Sequence, residues 1–154
     1  MSEPSILDRI QADMTAAMKT RDAGTLSTLR MLKSALMEAK TKKPREATLS
    51  PDEEIEVLQR YVKKRRETIA EMTKLGRTDV VGNEEREIAV TMRYLPQPLD
   101  DAALRGIVAE AVKTTGAVGP KDMGKVIGAV MAQVKGRAEG GRVSALVKEA
   151  LAGG

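Results

Sequence analysis

The chain has 154 residues, a net charge of +4, two tyrosines, no phenylalanine, no tryptophan, no cysteine and no histidine. That composition excludes disulfide staples, thiolate nucleophiles, Cys/His zinc sites and Ser-His-Asp triads. An abundance of Leu, Ala, Lys, Glu and Arg, with little β-branched alternation, predicts an all-α protein with a core of aliphatic residues and methionine.

In chain order, Ser5 followed by Asp8 signals a first helix, with Ile6, Ile10, Met14 and Met18 along its inner face. Asp22 caps a second, whose buried stripe is Leu26, Leu29, Leu32 and Leu36 and which fades near Lys40. The polar segment TKKPREATLS is a loop. Ser50-Pro51-Asp52-Glu53 is the clearest start signal in the chain: serine caps, proline takes the first turn and the acids meet the positive end of the dipole. A long third helix follows to about Leu75, with Gly76 as its stop. Its apolar residues Ile55, Leu58, Val62, Ile69 and Met72 are interrupted by Arg65, and they predict a helix packed lengthwise against a partner. The fourth helix carries Ile88, Met92 and Leu95. It starts at Thr78-Asp79 or at Asn83, because Gly82 interrupts the pattern, and it ends at Pro96-Gln97-Pro98.

That Pro-Gln-Pro is the expected boundary between an N-terminal helical domain, residues 1–95, built as a bundle around the long helix, and a small three-helix domain, residues 99–154. Charge does not distinguish the two parts: 18 basic and 16 acidic residues run through Pro98, and 8 and 6 follow it. A fifth helix opens at Asp100 or Asp101, turns Leu104, Ile107, Val108, Ala111 and Val112 inward, and closes at Gly116. Pro120 begins the sixth, which runs to about Lys135. Residues 136–141 form a turn, and Val143 to Leu151 form a short last helix. MSEPSILDRIQADM has no apolar h-region, and no apolar run approaches the roughly 18 residues that span a bilayer. A soluble, cytoplasmic protein without a membrane partner is expected.

The sixth helix holds the residues that invite a functional reading. Gly119-Pro-Lys-Asp-Met-Gly-Lys125 has the spacing of a phosphate loop. Valine replaces the required Ser/Thr at 126, and no strand precedes it. On a helix at about 100° per residue, Met123, Val126, Ile127, Val130, Met131 and Val134 share one side. Lys121, Gly124, Lys125, Gly128, Ala132 and Lys135 share the other, and Gly136, Arg137 and Arg142 continue the basic side into the turn. Spacing alone admits two uses. Small residues commonly let a neighbouring helix pack closely, which is the more frequent case; beside lysines they also let a phosphate backbone approach. With almost no aromatic residues, any RNA contact reads backbone, 2′-hydroxyl and shape. The Lys63-Lys64-Arg65-Arg66 run fans around its helix as a solvated face, and Lys42-Lys43-Arg45 adds a further basic cluster. Glu84, Glu85 and Glu87 read as a cluster answering the dipole at a helix start. No catalytic constellation, metal site or cofactor site is found.

Three stretches carry a resemblance: ILDRIQADMTAAMKTRDAGTLSTLRMLKSAL, LPQPL, and GPKDMGKVIGAVMAQVKGRAEGGRVSALVKEAL. Together they resemble the YqeY family from end to end. Residues 99–151 are also similar to the tail domain of the bacterial tRNA-dependent amidotransferase that makes Gln-tRNA and Asn-tRNA. The resemblance implies two helical domains. It also implies RNA-facing roles for Gly124, Lys125, Gly128, Lys135, Gly136 and Arg137, and a tRNA, other structured RNA, amidotransferase subunit or synthetase as partner. The family label of carbon–nitrogen ligase with glutamine as amide donor comes with the resemblance. The chain lacks the phosphate, metal and glutaminase machinery that such an activity requires.

Overall fold

The computed structural model describes residues 3–152. Seven α-helices follow one another, with no strand among the described residues: α1 Ile6–Lys19, α2 Ala23–Thr41, α3 Pro51–Lys74, α4 Thr78–Met92, α5 Asp101–Thr115, α6 Met123–Val134 and α7 Gly140–Ala152. A 3-10 turn, Pro120–Asp122, leads into α6. The protein is all-α, and it divides into two compact units, Met1–Leu95 and Pro96–Gly154.

In the first unit Ile6 and Ile10 of α1, Leu29, Leu32 and Leu36 of α2, Val57 and Leu58 of α3, Val90 of α4, and Tyr94 close one core. Helix starts follow the local signals. The Ser5 and Asp22 side chains accept the amides of Asp8 and Thr25 at 3.0 and 3.2 Å. Ser50 and Glu53 exchange side-chain-to-backbone bonds at both ends of a capping box. The Lys43 ammonium donates to the Glu53 carboxylate and to the Thr48 carbonyl, so part of the basic cluster at 42–45 is spent on closing the loop before α3. Glu54, next along α3, serves another helix. Its buried carboxylate accepts the amides of Ile6 at 3.2 Å and Leu7 at 2.9 Å. These are among the first four amides of α1, which no intrahelical carbonyl can satisfy, and the negative charge lies at the positive end of the α1 dipole.

Several sequence expectations are corrected here. Met18 is half exposed, and Ala17 takes the buried position. Each step of four residues advances about 400° around a helix, so a strict i+4 series drifts off the inner face after three turns. Of the two starts the sequence allowed for α4, the structure takes the one at Thr78: the helix runs through Gly82 without a break, and its N-cap, Arg77, makes no side-chain cap bond. Leu95 lies past the end of α4 yet packs partly against the core. On α3, Val57 joins Leu58 and Val62 in the buried set, whereas Ile55, Ile69 and Met72 are only half-buried.

In the second unit Leu104, Val108 and Ala111 of α5, Val126, Val130 and Val134 of α6, and Val143, Leu146, Val147 and Leu151 of α7 form the core. Asp100 caps α5 by accepting the Ala103 amide at 2.7 Å, and Gly116 ends it at φ 69°. Helix α7 begins at Gly140, three residues before the expected Val143. The second half of the LPQPL segment belongs to this unit: the Leu99 amide donates to the Arg137 carbonyl at 2.8 Å, and Arg137 Nε donates to the Gln97 carbonyl at 2.9 Å.

The contacts at the start of α3 have measurable consequences for stability. Glu54→Ala removes the acceptor from two helix-end amides and lowers unfolding free energy by about 2–3 kcal/mol in urea titration, with Glu54→Gln losing less because its amide oxygen still accepts. The Glu53 carboxyl is held at about 2 by the Lys43 hydrogen bond and then by the Ser50 amide, well below the ordinary 4.5. Its stabilisation is present above pH 4.5 and is lost as the pH falls towards 2. Denaturation midpoints followed across that window should fall less steeply in Glu53→Gln than in the parent.

Candidate nucleic-acid interface

The inner face of α6 explains how the helix tolerates its glycines. Val126, Val130 and Val134 are sealed in the core, with Met123, Ile127, Ala129 and Met131 packed around them. Three buried valines contribute about 1.5–3 kcal/mol each, against about 1 kcal/mol lost at each of Gly124 and Gly128 relative to alanine. Packing of one face therefore outweighs the weak propensity of the other.

On the outer face Gly124, Lys125, Gly128 and Ala132 are all exposed. A Cβ added at Gly124 or Gly128 would meet nothing within 4 Å, and neither glycine has a positive φ. No helix of the second unit packs on them. The two glycines are separated by about 6 Å along the helix axis, one turn, and Lys125 is carried between them.

The flanking residues depart from the single helix expected over 121–135. Lys121 is exposed on the 3-10 turn, because Pro120 and the Asp122–Gly119 backbone bond tighten the chain before α6 begins. The Asp122 carboxylate accepts the Val118 amide at 3.1 Å and closes this turn. Lys135 has left-handed dihedrals, φ 34° and ψ 67°, and Gly136 follows at φ 84°. The basic side thus breaks out of helical register at both ends. Lys121, Lys125 and Lys135 are all exposed and make no ion pair among the described residues.

The two arginines are engaged within the unit. Arg137 clamps the chain at Gln97 and Leu99, as described above. Arg142 Nε donates to Asp101 Oδ1 at 3.0 Å while its Nη2 donates to Oδ2, a two-point pair joining α7 to α5. That pair holds the Asp101 carboxyl below the usual range and raises Arg142. The paired guanidinium offers an incoming phosphate less net charge than the three lysines do. Sequence spacing missed both engagements, since the partners lie 40 and 41 residues away.

The carboxylates expected at a helix start are elsewhere. Because α4 begins at Thr78, Glu84, Glu85 and Glu87 fall in its interior. Glu84 lies 3.5 Å from Arg65, and Glu87 Oε1 accepts the Tyr61 hydroxyl at 2.7 Å. Arg65 is accordingly no part of a solvated basic face: its side chain keeps only 19% of its exposure. No group of three or more His, Cys, Asp or Glu residues arranged to hold a metal occurs among the described residues, and no helix is long and apolar enough to cross a membrane.

The fold and this surface define a small all-helical protein with an open glycine–lysine helix face. The chain belongs to the YqeY family: the family model described as Yqey-like protein matches residues 7–151. Among curated proteins it is similar to "Altered inheritance of mitochondria protein 41, mitochondrial" of Pyrenophora tritici-repentis (strain Pt-1C-BFP). The two are 28% identical over 140 residues, covering 88% of this chain and 75% of the relative.

The open glycines separate stability from recognition. Gly124→Ala and Gly128→Ala should each raise unfolding free energy by about 0.5–1 kcal/mol in urea titration, since the methyl group meets no obstacle and helix propensity improves. If a backbone docks on this face, the same stabilised variants should bind it more weakly.

Proposed function

We propose that this protein is a non-catalytic helical module that binds tRNA or another structured RNA through the outer face of α6. The observation that carries this reading is the uncovered pair Gly124 and Gly128 beside exposed, unpaired lysines. Glycine brings a ligand backbone within reach of the helix, and Lys121, Lys125 and Lys135 supply charge that phosphates seek. The similarity of residues 99–151 to an amidotransferase tail supports the same direction. The carbon–nitrogen ligase label that this resemblance implies comes without the residues to perform that reaction. Arg137 and Arg142 act in this reading by shaping the turn and the α5–α7 contact, with the lysines as the principal phosphate contacts. The module works in a compartment that holds tRNA, the cytoplasm on the sequence reading; the curated relative carries a mitochondrial name.

A second reading keeps the surface and changes the occupant: a helix of an amidotransferase or aminoacyl-tRNA synthetase subunit packs on Gly124 and Gly128. The same open face favours it, because small residues admit close helix approach.

Titration with bulk tRNA at two salt concentrations tests the first reading. Binding should weaken steeply with salt, each neutralised phosphate adding about 0.7 to 0.9 to the log–log slope. The Lys121→Ala/Lys125→Ala/Lys135→Ala variant should lose most of the affinity and flatten that slope. Absence of binding at low salt, or an unchanged triple variant, overturns it. A protein partner that survives nuclease and high salt would support the second reading instead.

A further inference from the structure

Between Val62 and Val90 the chain completes half of α3, a turn at Gly76 with φ 73° and most of α4. Not one residue from 63 to 89 is fully buried. The buried positions of α3 are Glu54, Val57, Leu58 and Val62, and those of α4 are Val90 and Thr91. The core of the first unit therefore grips this helical hairpin only at its root. Beyond the root, Ile69, Met72, Val80, Val81 and Ile88 are half-buried, and Leu75 at the turn is 65% exposed.

The root itself is closed by polar groups. The Arg65 guanidinium lies over the Tyr61 ring, 4.9 Å from its centroid, and Arg65 Nε faces Glu84 Oε2 at 3.5 Å. Both atoms are shut off from water, and neither has a hydrogen-bond partner. Tyr61 donates to Glu87, whose other oxygen accepts from Asn83 Nδ2 at 3.4 Å. An ion pair removed from water without hydrogen bonds recovers little of its desolvation cost, yet losing one partner strands the other charge. Such a contact holds only while both charges stay together.

We propose that residues 63–89 form an arm that opens as one cooperative piece, α4 parting from the outer half of α3, with the Arg65–Glu84 pair as its latch. The root of α4, at Val90 and Tyr94, stays in the core during this opening. Stability in proteins is distributed in such units, and those with little buried apolar surface open first. The groups facing Glu84 are Arg65 and Tyr61 from α3 and Glu87 from its own helix. Burial raises the Glu84 carboxyl, Arg65 opposes that and Glu87 adds to it.

Native-state hydrogen exchange on the full chain, corrected for intrinsic rates and run at several low denaturant concentrations, tests the arm. Amides of residues 66–86 should share one protection level below that of Leu29, Leu32 and Leu58, with a smaller denaturant slope. Arg65→Ala should lower arm protection about tenfold or more at neutral pH, leave the core amides unchanged, and be rescued by adding Glu84→Gln. Arm amides that exchange with the denaturant slope of the core would overturn the proposal. So would an Arg65→Ala loss spread evenly over the unit.

Discussion

Without phenylalanine or tryptophan, every core contact has to be made by leucine, isoleucine, valine, alanine and methionine, with tyrosine at two positions only. That constraint shapes both units. Short aliphatic side chains fill space only between helices that lie close together, so the two cores are compact clusters drawn from a few residues of each helix. The two tyrosines are fully committed. Tyr94 donates to Asp13 beneath Arg9, and Tyr61 donates to Glu87 beneath Arg65. Tyr61 thus joins α3 to α4, and Tyr94 joins the segment after α4 to α1, each through an apolar body and a charged tip. Tyr94 is buried and Tyr61 half-buried, so neither ring is a free aromatic platform.

Helix α6 shows how one element can serve packing and exposure together. Its inner valines supply enough burial for the outer face to be spared any structural duty. Glycine there is a choice for the outside of the molecule. The same division of labour is absent from the outer half of α3 and the first part of α4, where no fully buried side chain compensates the polar pair. The hairpin beyond its root accordingly combines half-buried apolar contacts with the polar pair, whereas α6 rests on a sealed apolar face.

What could be read from the sequence was local. The caps at Ser5, Asp22, Ser50 and Asp100 act within three residues, and the inward faces of α5, α6 and α7 repeat within a turn. The exposed placement of Gly124, Lys125 and Gly128 followed from the same periodicity. What escaped was carried by partners distant in the chain. Glu54 caps a helix 48 residues earlier, and Arg137 and Arg142 bond 40 and 41 residues back. Arg65 looked like part of a basic face because its partner, Glu84, lies across a helical hairpin. The breaks in register at Lys121 and Lys135 were also hidden. A proline-led 3-10 turn and a left-handed lysine leave the apolar pattern of residues 123–134 untouched.

The exposed side chains of Met18, Met31 and Met37 bear on how the protein meets oxidants. None of the described methionines is fully buried, and the chain has no cysteine. Sulfoxide formation makes a flexible apolar side chain polar and is most damaging inside a sealed core. At Met18, Met31 and Met37 the new oxygen meets water, while leucines and valines hold the centres of both units. The most exposed sulfur thus lies outside the sealed centres, where oxidation takes nothing from the packing that holds them.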